Sequence, residues 1–135
     1  MPSRTEARES VHQILSVRVP QLLFLLGNPS YTIRYEYISI MELLYEKNLL
    51  GADVKIQIFR ACLAQLKRNE RTPTQPFRPL YCKKLARIAT QLHPHSSDVS
   101  DLIHHPLEEV RMEVLEQLGT FTGFQLISLN DFDLV

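Results

Sequence analysis

Two segments of this chain share one pattern: residues 28–41 read Asn-Pro-Ser-Tyr-Thr-Ile-Arg-Tyr-Glu-Tyr-Ile-Ser-Ile-Met, and residues 105–118 read His-Pro-Leu-Glu-Glu-Val-Arg-Met-Glu-Val-Leu-Glu-Gln-Leu. At an offset of 77 positions, six pairs match in type: Pro29 and Pro106, Ile33 and Val110, Arg34 and Arg111, Glu36 and Glu113, Ile38 and Leu115, and Met41 and Leu118. A repeat at such a spacing is typical of stacked structural units. The repeated phrase therefore predicts an array of similar units.

Apolar residues recur at helical spacing through most of the chain, with turn residues between the runs. The predicted helices are Thr5–Leu26 with a bend or break at Pro20, Thr32–Leu50 closed by Gly51, Asp53–Arg68, Leu80–Leu92, a short helix in Ser96–His105, and Pro106–Gly119. The segment Asn69–Pro79 contains three prolines and is predicted to be a loop. The predicted fold class is all-α.

Each long helix has one apolar face that we expect to be buried. On the first helix this face comprises Val11, Ile14, Leu15, Val19, Leu22, Leu23 and Leu26, and on the second Ile33, Tyr37, Ile40, Met41, Leu44 and Tyr45. On the third it comprises Val54, Ile58, Cys62 and Leu66. Cys62 and Cys82 lie within helical patterns and are predicted to be reduced, buried thiols.

Composition limits the class of protein. The chain has 135 residues, 44% of them hydrophobic, and a formal net charge of zero, so it can bury one core and has no overall attraction to nucleic acid or membranes. The apolar run Val19–Leu26 is too short to span a bilayer, and the charged N-terminal stretch is unlike a signal peptide. We expect no membrane association and a cytoplasmic or nuclear location.

In both copies of the repeated phrase, a proline turn is followed by a helix whose first apolar residue precedes an arginine. Arg34 and Arg111 are thereby placed on the flank of the helix, where they can reach carboxylates or carbonyls of a neighbouring unit. At these residues the chain resembles HEAT and armadillo-like repeats, whose second helix commonly opens with an apolar-Arg pair and ends in Leu-Gly, as Leu118-Gly119 does. The resemblance implies a superhelical solenoid segment of about three helical-hairpin units.

A narrower resemblance covers residues 19–121. The strings Leu-Gly-Asn-Pro-Ser-Tyr-Thr-Ile-Arg and Leu-Ile-His-His-Pro-Leu-Glu-Glu-Val-Arg are similar to the helical-repeat region of the thyroid-adenoma-associated (THADA) family. That resemblance implies a non-catalytic partner of a tRNA 2'-O-ribose methyltransferase, with indirect contact to tRNA. Members of the family are much longer, so the resemblance also implies a fragment or a short isoform.

The C-terminal residues depart from the repeat. After Gly119 another amphipathic helix is expected, but residues 120–135 are apolar, short and interrupted by Gly123. We expect residues 1–121 to form the armadillo-like segment and residues 122–135 to be an atypical tail, appended to a truncated array.

Known catalytic and metal-binding patterns are missing from the sequence. His93, His95, His104 and His105 match no zinc-ligand spacing, so we interpret them as surface histidines near helix ends. The two cysteines lie on apolar stripes, and the four glycines form no phosphate-binding loop. The prediction is a protein without catalytic residues, cofactor or metal.

Charge is distributed unevenly along the chain. Residues 67–87 contain seven basic residues and one acidic residue, whereas residues 98–135 contain eight acidic residues and only Arg111 as a basic one. One interpretation is direct RNA contact through Arg71, Arg78, Lys83, Lys84 and Arg87. The other is a solvated face whose charges meet opposite charges of a neighbouring unit. Tyr31 and Tyr35 fall toward the exposed side of their helix, where they either hold a partner protein or belong to a mixed aromatic core between adjacent helices.

The sequence therefore favours a scaffold that binds a protein partner, with the methyltransferase partner implied by the narrower resemblance. Two alternatives stay open: an RNA-contacting helical module that uses residues 67–87, and a generic HEAT-repeat adaptor unrelated to tRNA.

Overall fold

The computed structural model describes residues 3–68 and 78–133, with side chains for residues 3–68 and 79–120. These residues form six α-helices, two short 3₁₀ segments and no β-strand, so the all-α prediction is confirmed for them. The α-helices are α1 (Arg4–Leu22), α2 (Tyr31–Glu46), α3 (Ala52–Lys67), α4 (Arg78–Leu92), α5 (Ser97–Asp101) and α6 (Glu108–Asp133), and the 3₁₀ segments are Leu23–Gly27 and Leu102–His104.

Helix α1 begins with a reciprocal cap. The Ser3 hydroxyl accepts the Glu6 backbone N–H at 3.1 Å, and the Glu6 carboxylate accepts the Ser3 N–H at 3.3 Å. Pro20 lies inside the helix, which continues in α form to Leu22 and then tightens into the 3₁₀ segment. The predicted break at Pro20 is therefore absent, and the helix changes type only three residues later, at Leu23.

The turn between α2 and α3 differs from the prediction. Helix α2 is capped by Ser30 and ends at Glu46, and Asn48 has the left-handed backbone that reverses the chain, with φ 56°. Gly51, predicted to close α2, is instead the residue before α3 and has φ −73°. Helix α3 begins one residue before the predicted start at Asp53, which lies in the first turn, where its charge favours the helix dipole.

Two other boundaries also differ. Helix α4 already includes Arg78 and Pro79, so the predicted loop is shorter at that end, and residues 69–77 lie outside the described part. Helix α6 passes through its predicted end at Gly119 and continues to Asp133. The reason is backbone conformation, because a terminating glycine adopts positive φ and no described glycine does.

Helix α4 lies at the centre of the packing. It contacts α2, α3 and α6, and its residues Leu85, Ala86, Ile88 and Ala89 are at most 1% exposed. The predicted α3 face is confirmed, since Val54, Ile58, Cys62 and Leu66 are buried to the same degree. Close packing of such residues is the main source of stability in an all-α protein of this size.

The predicted apolar faces of α1 and α2 are only partly correct. Val11, Ile14, Leu22, Ile33 and Ile40 were expected in the core but are exposed. Burial also differs between the two copies of the repeated phrase: α2 buries Tyr37, Ile38 and Met41, whereas α6 buries Val110, Glu113 and Val114. The buried face of α6 is thus rotated by about one residue relative to the alignment at an offset of 77.

Side chains from neighbouring helices bind the carbonyls at helix ends. The hydroxyl of Tyr37 donates to the Val19 carbonyl at 3.1 Å, that of Tyr81 to Leu26 at 2.5 Å, and that of Tyr45 to Gln91 at 3.1 Å. The last carbonyls of a helix have no partner within the helix. These tyrosines supply the missing donors and connect α1 and its 3₁₀ extension to α2 and α4, and α4 to α2.

Both cysteines are free and buried, as predicted. Burial raises the pKa of the Cys62 thiol from 9.0 to about 12. Burial also raises the pKa of Tyr37 from 10.0 to about 12, and the nearby Cys62 adds to the shift.

We predict that Tyr81→Phe lowers the free energy of unfolding by about 1–2 kcal/mol, because the buried Leu26 carbonyl loses its donor. Urea denaturation followed by circular dichroism measures the change. Tyr35→Phe is the control, since the described contacts of Tyr35 are made by its ring. Equal effects of the two substitutions would contradict the proposed role of the Tyr81 hydroxyl.

We also predict that stability decreases as the pH rises through the range from 9.0 to about 12. In that range the unfolded chain releases the protons of Cys62 and Tyr37 before the folded chain does, so stability is complete below it and declines within it. Tyr37→Phe should flatten the decline above pH 10.0. Denaturation midpoints across this range test it, and parallel declines in both proteins would exclude a contribution from Tyr37.

Candidate partner-binding surfaces

A row of polar residues crosses the centre of the fold along α4. Lys84, Arg87 and Gln91 are three and four residues apart, so they lie on one face of the helix. Their partners come from the two helices that pack against α4, namely Glu42 on α2 and Glu113 and Gln117 on α6. We call these six residues the α4 polar network.

The first part of the network joins α4 to α2. The Lys84 ammonium lies 2.6 Å from the Glu42 carboxylate, and both side chains are less than one-fifth exposed, at 16% and 13%. The same ammonium lies 5.6 Å from the centre of the Tyr35 ring. An ion pair shielded to this extent is screened less by salt than a surface pair.

The second part joins α4 to α6. Arg87 Nε donates to Glu113 at 2.6 Å, and Arg87 Nη1 lies 3.6 Å from Glu42, so one guanidinium bridges two carboxylates. Glu113 is buried, with its side chain 1% exposed. The hydrogen bond to Glu113 raises the pKa of Arg87 against the opposing effect of burial, and the charges of Glu113 and Glu42 add to it. The cation is therefore retained although it is partly desolvated.

Two amides extend the network toward the end of α4. Gln117 Nε2 donates to Glu113 Oε1 at 3.1 Å, and Gln91 Nε2 donates to Gln117 Oε1 at 3.2 Å. Glu113 Oε1 therefore accepts from both a guanidinium and an amide. Its other oxygen, Oε2, is buried and has no hydrogen-bond partner among the described residues.

The basic residues predicted from the sequence to contact RNA lie in different surroundings in the structure. Lys84 and Arg87 belong to the α4 polar network, so a phosphate would compete with Glu42 and Glu113 for them. Lys83 is half-buried at a groove of 210 Å³ lined by glutamates of α6. Arg71 and the side chain of Arg78 lie outside the described residues.

Tyr31 and Tyr35 lie side by side on α2, with ring centres 5.7 Å apart, and both are half-buried. Arg34 lies between them in sequence and places its guanidinium 5.1 Å from the centre of the Tyr81 ring on α4. Its contact thus joins α2 to α4.

Arg111 is placed differently from its counterpart in the repeated phrase. Its guanidinium donates to the carbonyls of His105 at 2.6 Å and Pro106 at 3.1 Å, which belong to the turn before its own helix. These contacts stabilise the start of α6. A role for Arg34 and Arg111 in stacking one unit on the next stays a prediction.

One of the four histidines interpreted as surface residues is buried. His105 is 7% exposed, its Nε2 lies 2.8 Å from the Leu66 carbonyl, and its Nδ1 accepts the Leu107 N–H at 3.0 Å. These roles fit the neutral imidazole with the proton on Nε2. Leu66 lies in the last turn of α3, so His105 acts as another donor to a helix end.

Apolar side chains are exposed on the outer faces of the first two helices. We call Ile14 and Val17 the α1 stripe, with exposures of 60% and 54%. We call Ile33, Ile40 and Leu43 the α2 stripe, with exposures of 43–49%. Phe24, in the 3₁₀ segment after α1, is 70% exposed. Contiguous exposed apolar side chains are more typical of protein contacts than singly scattered ones.

Sequence reasoning did not identify Glu42 and Glu113 as partners of the basic residues. Glu113 could have been found, because it lies between Val110 and Val114 at the three- and four-residue spacing of a buried face. A glutamate in such a position requires a cationic or hydrogen-bonding partner. Glu42 has a similar signal, since it lies four residues after Ile38 and three before Tyr45.

Among residues 3–68 and 78–133, no group of three or more potential ligand side chains is arranged to hold a metal ion. None of the helices in the described part is long and apolar enough to cross a membrane. No protein-family model, curated protein or solved structure matches this chain.

We predict that Arg87→Met lowers the free energy of unfolding by about 3 kcal/mol, because it leaves Glu113 buried without its cation. The double variant Arg87→Met/Glu113→Leu should recover most of the loss, since no unpaired charge remains. Urea denaturation of both singles and the double variant gives the coupling energy.

The matched control is Lys67→Met, which removes an exposed ion pair with Asp98 at 3.7 Å and should cost less than about 1 kcal/mol. A loss in Arg87→Met as small as that in the control would show that the network is energetically equivalent to a surface pair.

Proposed function

We propose that this chain is a non-catalytic scaffold of stacked helical hairpins that binds a protein partner, in the manner of HEAT and armadillo-like solenoids. In this proposal the hairpins are α1 with α2, α3 with α4, and α5 with α6. Helix α3 packs directly on α4, and the 3₁₀ segments Leu23–Gly27 and Leu102–His104 contact both helices of the first and third pairs. Contacts between α1 and α3, between α2 and α4, and between α4 and α6 support this arrangement, because equivalent helices of successive hairpins are neighbours.

The observation that carries the proposal is the exposed apolar surface of the first hairpin. The α1 stripe lines a shallow groove of 360 Å³ together with Gln13 and Arg18. The α2 stripe lies on one helical face, since its residues are spaced by seven and three positions. A partner helix packed on either stripe would bury apolar area that otherwise contacts water.

The resemblance in the repeated phrase proposes the partner, an RNA methyltransferase that acts on the 2'-O-ribose of tRNA. In this proposal the chain supports methylation without performing it and contacts tRNA only through the enzyme. The ion pairs of Lys84 and Arg87 favour contact with tRNA through the enzyme over direct RNA contact, because both cations already have protein carboxylates as partners. We propose that the chain binds this partner in the cytoplasm, with the nucleus as the alternative compartment.

We predict that the chain, used as bait, captures an RNA methyltransferase from cytosolic and nuclear extracts, and that nuclease treatment leaves the capture intact. Ile14→Glu/Ile40→Glu should reduce recovery about tenfold or more, because a charge in each stripe opposes burial. Quantitative mass spectrometry measures recovery. The charge-matched control, Ser10→Glu/Gln57→Glu, alters exposed polar positions of α1 and α3 and should retain the enzyme.

The same experiment separates the alternatives. If nuclease releases everything that the bait captures, direct RNA contact replaces the proposal, and Arg71→Glu/Arg78→Glu/Lys83→Glu should then abolish binding of purified tRNA. If a nuclease-resistant partner other than a methyltransferase is lost on Ile14→Glu/Ile40→Glu, the generic adaptor is correct and the tRNA role is not. Melting temperatures within a few degrees of the wild type confirm that the variants are folded.

A further inference from the structure

The outer face of α6 is a second surface, with a chemistry unlike that of the stripes. A groove of 210 Å³ is lined by Glu108, Glu109, Met112, Glu113 and Glu116 of α6 and by Lys83 of α4. We call it the α6 groove. The groove has four carboxylates and one cation of its own, Lys83. The neighbouring Arg87 adds a second positive charge but is already bound to Glu113. The groove therefore has a net negative charge.

A buried carboxylate oxygen in the wall of the groove lacks a donor. Glu113 lines the groove and is 1% exposed, and its Oε2 has no hydrogen-bond partner among the described residues. Its other oxygen is occupied by Arg87 and Gln117. A buried carboxylate oxygen without a donor is unfavourable.

Met112 contributes an apolar side chain to the groove, among the carboxylates. It is 58% exposed, and Glu108, Glu109 and Glu116 around it are also exposed. A long basic side chain has the complementary form, since its methylenes pack on an apolar surface while its charged end binds carboxylates. The adjacent Leu115, 49% exposed, extends the apolar area along the helix.

We propose that the α6 groove binds a basic helical segment of a partner protein, with lysines or arginines of that segment paired with the exposed Glu108, Glu109 and Glu116. A helix with basic and apolar residues on one face satisfies both the exposed glutamates and the Met112–Leu115 surface. The inference rests on the proposed interaction role and identifies the chemistry of one partner surface. The groove is formed by α6 and α4, and the stripes belong to α1 and α2, so the two surfaces can be tested separately.

The test uses the full chain and a fluorescein-labelled synthetic peptide, blocked at both ends, with Lys and Leu at helical spacing on an Ala background. Fluorescence anisotropy measures the dissociation constant. Glu109→Lys/Glu116→Lys should weaken binding about tenfold, because attraction at two positions becomes repulsion. The control Glu36→Lys/Glu46→Lys makes the same change in net charge at exposed positions of α2 and should change the dissociation constant less than about twofold.

Three outcomes overturn the inference: no binding of the peptide, equal weakening by both variant pairs, or undiminished binding when Glu replaces Lys in the peptide. The second outcome would identify diffuse charge attraction as the cause. Recovery of the methyltransferase by a Glu109→Lys/Glu116→Lys bait, together with a loss of recovery on changing the stripes, would leave the proposed function standing without the groove. Peptide binding by a bait that captures no methyltransferase would support the groove and contradict the proposed methyltransferase partner.

Discussion

The bridge from Arg87 to Glu113 and Glu42 is the interaction on which the centre of this fold depends. Glu113 occupies a position on α6 that would otherwise be apolar, and its charge is buried against α4. A buried carboxylate is tolerated only with a cation and further donors, which Arg87 and Gln117 supply. Since Arg87 also lies near Glu42, the positions of α2, α4 and α6 are coupled through one guanidinium.

A second constraint concerns the ends of the helices. Short helices leave many carbonyls without internal partners, and burial of those ends would be costly. Tyr37, Tyr45, Tyr81 and His105 bind such carbonyls from neighbouring helices. Each of these contacts also defines the distance and direction between two helices. The aromatic residues of this chain thus position its helices as well as fill its core, and the two stripes and the α6 groove lie on the helices so positioned.

The extent of sequence-based prediction differs between the fold and the surfaces. Helix α3 was predicted within one residue at each end, with the correct buried face. The spacing of its own apolar residues distinguishes the buried face from the exposed face. Gly51 was wrongly assigned to the end of α2, and Gly119 to the end of α6, since glycine permits a reversal without requiring one. Among the candidate site residues, Lys84 and Arg87 were proposed to contact RNA, and their pairing with glutamates of α2 and α6 was not predicted.

The sequence by itself determined that the chain is helical and where most helices begin, because spacing, caps and prolines act over a few neighbouring residues. Only the tertiary structure decided which apolar faces are covered: Ile14 and Ile40 resemble Ile58 in sequence context, but no described neighbouring helix covers them. It also decided that Lys84 and Arg87 are bound to protein carboxylates while the glutamates of α6 line an open groove. Burial and charge pairing depend on residues brought together from distant parts of the chain. Local periodicity does not specify which of those residues come into contact.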